Sequence, residues 1–85
     1  MPSDLPALTG IQLIKLLKKD GWTPGRSAKH GRCLTKKIGD GTRVTFIPQT
    51  RESLPEGTLF AILSAKQTGI GKAGLKRLID KYGIN

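Results

Sequence analysis

The sequence predicts an α+β domain, a three-stranded antiparallel sheet with helices grouped against one face. Three observations lead there: an amphipathic stretch near the start, two more near the end, and a glycine- and proline-punctuated run rich in β-branched residues between them. The expected order is α-β-β-β-α-α. At 85 residues the chain is long enough for one small core and no more.

Residues 1–8, with Pro2 and Pro6 and no periodicity, read as a loose tail. Thr9 is placed to cap a helix over Gly10–Asp20. There Ile11, Ile14 and Leu17, with Leu13 and Leu16 alongside, form an apolar stripe, while Gln12, Lys15, Lys18 and Lys19 face out. Gly21 ends it, and the late lysines suit the helix dipole. A membrane-surface helix is the weaker alternative, because the stripe has an evident use as core. Trp22-Thr23 reads as a short strand stopped by Pro24-Gly25. A second strand, Lys29–Ile38, runs to the hairpin signal Gly39-Asp40-Gly41. The β-branched Thr42–Ile47 forms the third, closed by Pro48. After a connection, Leu59–Lys66 and Lys72–Tyr82 carry apolar residues at helical spacing, separated by the breaker Thr68-Gly69-Ile70-Gly71.

Fifteen Lys and Arg against six Asp and Glu give a net charge of +9. That balance favours a polyanionic partner, nucleic acid ahead of membrane, over an acidic protein or plainly solvated lysines. One cysteine makes no internal disulfide. No apolar run approaches the roughly 18 residues of a membrane span. Ile11–Leu17, interrupted by Gln12 and Lys15, is no secretory core, and Pro2 stands where myristoylation needs glycine. A cytoplasmic protein is expected. Metal and cofactor are not, since one histidine, one cysteine and scattered acids give no ligand cluster.

The chemistry concentrates in Gly21–Pro48, which holds the single histidine, tryptophan and cysteine: His30, Trp22 and Cys33. Around His30 stand Arg26, Lys29, Arg32, Lys36, Lys37 and Arg43, with Asp40 the lone acid among them. Histidine changes protonation near neutral pH, and a cationic strip gathers phosphates. Together they suit RNA cleavage; an incidental surface histidine is the plain alternative. Strand alternation puts His30, Arg32, Leu34 and Lys36 on one face and Gly31, Cys33, Thr35 and Lys37 on the other. The first face is the more polar and is expected toward solvent and substrate, although Leu34 fits it poorly. Trp22 is expected in the core, with base stacking the lesser reading. Cys33 is expected to be buried and to point away from His30, so no Cys-His nucleophile follows. Gly69-Ile70-Gly71-Lys72 follows a helix and is too short for a phosphate loop. Lys72, Lys76, Arg77 and Lys81 fit either an exposed helix face or the second helix of a helix-turn-helix DNA binder.

The pieces LIKLLKKDGW (Leu13–Trp22), SAKHGRCL (Ser27–Leu34), RVTFIP (Arg43–Pro48) and EGTLFAILSAKQTGI (Glu56–Ile70), in this order and spacing, resemble HicA-type toxins. These are small mRNA interferases with a double-stranded-RNA-binding-domain-like fold. The resemblance covers a core of about residues 9–70 and leaves 71–85 as a C-terminal extension. It implies cleavage of single-stranded mRNA, His30 as the catalytic residue, and a HicB-type antitoxin, acidic at its contact, as partner. The sequence departs from the family at Ser27-Ala28-Lys29-His30, which lacks the glycine that usually opens this strand.

The simplest metal-independent route uses the RNA 2′-hydroxyl as nucleophile and neutral His30 as general base. Neighbouring cations favour the neutral imidazole and bound phosphate opposes them. Lys29 and Arg32 would hold the scissile phosphate; Arg26, Lys36, Lys37 and Arg43 would track its neighbours. No second histidine exists to protonate the leaving oxygen, so a slow enzyme is expected. A non-catalytic RNA-binding module and a helix-turn-helix regulator are the alternatives.

Overall fold

The computed structural model describes residues 7–28 and 31–83. Its elements are α1 (Gly10–Lys19), β1 (Thr23–Ala28), β2 (Gly31–Ile38), β3 (Gly41–Ile47), α2 (Glu56–Leu63) and α3 (Gly71–Tyr82). This is the α+β order the sequence predicts, with a sheet of order β1-β2-β3, antiparallel throughout.

Helix α1 begins with a capping box. The Gln12 amide donates to the Thr9 hydroxyl at 3.1 Å, and the Thr9 amide donates to Gln12 Oε1 at 3.0 Å. Gly21, at φ 97°, turns the chain into Trp22, whose amide donates back to the Leu17 carbonyl. At the other end α1 abuts the exit of β3. A β-carbon on Gly10 would overlap the Pro48 carbonyl oxygen, so only glycine fits. Leu8, read from sequence as part of a tail, is buried, and its carbonyl accepts from the Leu54 amide at 2.7 Å.

The sheet corrects two expectations. Strand β1 does not stop at Pro24-Gly25 but runs to Ala28, through a register irregularity between Pro24 and Ser27. As an edge strand it accommodates proline, whose missing N–H leaves no ladder bond unmade on the open side. The second correction is the facing of β2. Leu34 is fully buried, and its cross-strand partner Thr45 and next-row neighbour Ile47 are buried with it. The face bearing Arg32, Leu34 and Lys36 therefore packs against the helices, and the opposite face, with Cys33, Thr35 and Lys37, is the open one. Burying one leucine, worth about 1.5–3 kcal/mol, outweighs two long cations whose aliphatic stems can lie along the core edge. The hairpin forms as expected, Ile38 pairing with Gly41 across Gly39-Asp40, with Gly39 at φ 58°.

Helix α2 starts at Glu56 and ends at Leu63, earlier at both ends than its periodicity implies. Past Leu63 the carbonyls of Ala65 and Gln67 accept from Arg43 Nη1 at 2.6 and 3.2 Å. The Thr68 hydroxyl donates to Ile62 O, and Gln67 Oε1 accepts from the buried Thr45 hydroxyl at 2.6 Å. Bonds to distant residues thus take the place of a further turn of helix. Helix α3 closes the core with Leu75 and Leu78, packed against both α1 and α2. Trp22 is buried in the same core, as expected. No helix among the described residues is long and apolar enough to cross a membrane.

Candidate nucleic-acid interface

Lys29 and His30 lie outside the described residues. Their flanks do not. Ala28 and Gly31 are register partners at one end of the sheet, and the next row across it is Ser27–Arg32–Ile47. The surroundings of Gly31, the residue bonded to His30, are therefore defined.

On the open face the ring of Phe46 lies directly over Gly31, its Cε1 2.7 Å from where a β-carbon would sit. Phe46 is 44% exposed and Val44, two residues before it, 49%. Their cross-strand partners are Cys33 and Thr35, and Lys37 and Thr42 complete this surface toward the hairpin. Cys33 is half-buried beside Phe46 rather than buried as expected. The open face thus offers an accessible aromatic ring over Gly31, the residue bonded to the candidate histidine. Sequence reasoning misses Phe46, because an aromatic in a strand more often faces the core than away from it.

On the helix-packed face Arg32 is half-buried beside α1. Its Nε is shielded from solvent and has no hydrogen-bond partner among the described residues. The Ser27 hydroxyl donates to Gln49 Oε1 at 3.4 Å, which brings Gln49 alongside. With Ile11, Ile14, Lys15 and Lys18 of α1, Arg32 and Gln49 line an open cavity of about 170 Å³.

The remaining cations of the expected strip divide by position and by partner. Arg26 is exposed within the irregular part of β1, at the same end as Gly31. Lys36, Lys37 and Arg43 lie toward the hairpin, Lys36 being four residues and so about 13 Å along the strand from Arg32. Lys37 is exposed. Lys36 Nζ donates to the Asp20 carbonyl at 2.9 Å and pairs with its carboxylate at 3.3 Å, tying β2 to the end of α1. Arg43 is committed to the α2–α3 connection. The strip that looks continuous in sequence is therefore two groups. One, with Arg26 and Arg32, adjoins Gly31; the other, with Lys36 and Arg43, has its charge engaged inside the protein.

The C-terminal helices bear on the helix-turn-helix alternative. Residues 64–70 make a seven-residue connection between α2 and α3, where a helix-turn-helix uses three or four. Lys72, Lys76, Arg77 and Lys81 are exposed on α3, with Lys72 Nζ 6.0 Å above the Phe60 ring. Comparison with protein-family models, with curated proteins and with solved structures gives no match to this chain.

Proposed function

We propose that this chain is a metal-independent endoribonuclease acting on single-stranded mRNA, the toxin of a pair whose HicB-type antitoxin covers the His30 end of the sheet. We read its fold as double-stranded-RNA-binding-domain-like, with α3 as an addition. One observation carries the reading. Gly31, bonded to His30, has an exposed aromatic ring on one side and, one residue on, a guanidinium whose Nε has no partner among the described residues on the other. A ribonucleotide needs both, a flat apolar surface for its base and a cation for its phosphate.

In this scheme neutral His30 takes the proton of a 2′-hydroxyl. The oxygen attacks the adjacent phosphorus, the bond from phosphorus to the 5′-oxygen breaks, and a 2′,3′-cyclic phosphate remains. The leaving 5′-oxygen takes its proton from water, a lysine, or the imidazolium just formed. Lys29 and Arg32 stabilise the charge gathering on the phosphoryl oxygens, and Arg26 and Lys37 meet flanking phosphates. Phe46 receives the base beside the scissile bond.

The purified chain should cut RNA in the presence of chelator and leave cyclic phosphate ends. His30→Ala should lower the rate by about 10²–10⁴-fold, the usual worth of a general base, while RNA affinity is retained. The rate should also fall on the acid side as the imidazole takes a proton. Fragments with 5′-phosphates, or undiminished cleavage by His30→Ala, would overturn the reading. An RNA binder that never cleaves would point to the non-catalytic module.

A further inference from the structure

The cavity under Arg32 has a chemically one-sided lining, of which Arg32 alone belongs to the expected site. Lys15 and Lys18 stand one turn apart on α1, and Arg32 of β2 lines the same cavity. None of the three side chains has a hydrogen bond or ion pair among the described residues. Two other cations are engaged within the fold, Lys36 on Asp20 and Arg43 on two carbonyls. Here three cationic residues line one space, with Gln49 as the remaining polar residue and Ile11 and Ile14 as the apolar ones. No carboxylate among the described residues lines it. A shallow surface depression of about 280 Å³ is lined by Lys15 and Lys18 again, with Lys19. Gathering like charges without a counter-charge is unfavourable in the free protein and becomes favourable when an anion enters.

We infer that Lys15, Lys18 and Arg32 form a phosphate site that takes a phosphodiester group of the RNA chain, with Gln49 donating a further hydrogen bond. This rests on the proposed ribonuclease reading for the identity of the polymer, but not for the presence of the site. The RNA would leave the His30 end of the sheet over α1 rather than along the β2–β3 hairpin. Arginine supplies a planar fork for two phosphate oxygens, and the two lysines supply charge without fixed geometry. The Arg32 Nε is already shielded from solvent, so the side chain gives up less freedom on binding than an extended surface arginine would.

The test uses an uncleavable 2′-O-methyl oligoribonucleotide, the full chain, and the variant Lys15→Gln/Lys18→Gln. Both changes fall on exposed helix positions and replace one good helix former by another, so folding is retained. The oligonucleotide should move the Arg32 Nε–Hε resonance. The variant should bind more weakly, with the slope of log affinity against log salt reduced by about 0.7 for each phosphate it no longer neutralises. An unmoved Arg32 resonance with an unchanged slope overturns the site. So does saturation by inorganic phosphate with no added affinity for the oligonucleotide, or occupation by polyglutamate alone, which would assign the cavity to a free anion or to an acidic protein. If the oligonucleotide binds through these three residues and the wild-type chain cleaves no RNA, the phosphate site stands and the ribonuclease reading falls.

Discussion

At Gly31 a β-carbon would fall 2.6 Å from the Ile47 carbonyl oxygen as well as against the Phe46 ring. The ring can swing aside, but the carbonyl belongs to β3 and cannot retreat without moving that strand. Gly31→Ala should therefore cost about 1–3 kcal/mol as overpacking does, read as a fall in melting temperature of about 4–8 °C for each kcal/mol. Gly57, on α2 with nothing within 4 Å of its missing β-carbon, is the control: Gly57→Ala should raise stability by up to about 1 kcal/mol. Phe46 separates packing from recognition. With 44% of its surface exposed, its replacement should cost little stability. If a base stacks on it, Phe46→Leu should lose about 1–3 kcal/mol of binding to single-stranded RNA. Equal affinity of Phe46→Leu and wild type would remove the ring from the interface. None of this was legible in the sequence, because Gly31 and Phe46 are fifteen positions apart and only strand register brings them together.

Elements governed by neighbouring residues were readable. The Thr9 cap, the glycine that ends α1, and the Gly39-Asp40 hairpin each act within a few residues, and each formed where it was expected. Elements that depend on distant partners were not. Strand β1 passes through Pro24 because it lies at an edge, a place in the sheet that sequence alone does not give. The facing of β2 turned on Leu34 meeting the core between two cations. Helix α2 ends early because Arg43 reaches across from β3 to bond two carbonyls beyond it. That clamp gives Arg43 a structural role in place of the phosphate-tracking role its charge suggested. Arg43→Ala should destabilise the fold by about 1.5–3 kcal/mol, the range for hydrogen bonds to a charged group. The amides of Thr68 and Gly69, which donate to Ile62 and Ser64, should lose protection from hydrogen exchange first. A variant of unchanged stability that binds RNA poorly would return Arg43 to the interface.

The distribution of charge sets how fold and function should respond to salt. With a net charge of +9 on 85 residues, the folded chain repels itself more than the expanded one does. Some of that repulsion is built into the proposed phosphate site, where Lys15, Lys18 and Arg32 share one cavity. Other cations are offset locally, as Lys36 is by Asp20 at 3.3 Å, but fifteen bases against six acids cannot all be. The screening length is about 10 Å near 0.1 M salt and about 3 Å near 1 M. Added sodium chloride should therefore raise the melting temperature of the free protein. The same salt should weaken RNA binding, because the counterions that each neutralised phosphate releases enter a more concentrated solution. Stability and affinity thus move in opposite directions over one titration. Lys15→Gln/Lys18→Gln should flatten both curves, since it removes charges that repel one another when the site is empty and attract phosphate when it is filled. A variant that flattens the stability curve alone would show the cluster to be a source of repulsion with no anion to relieve it.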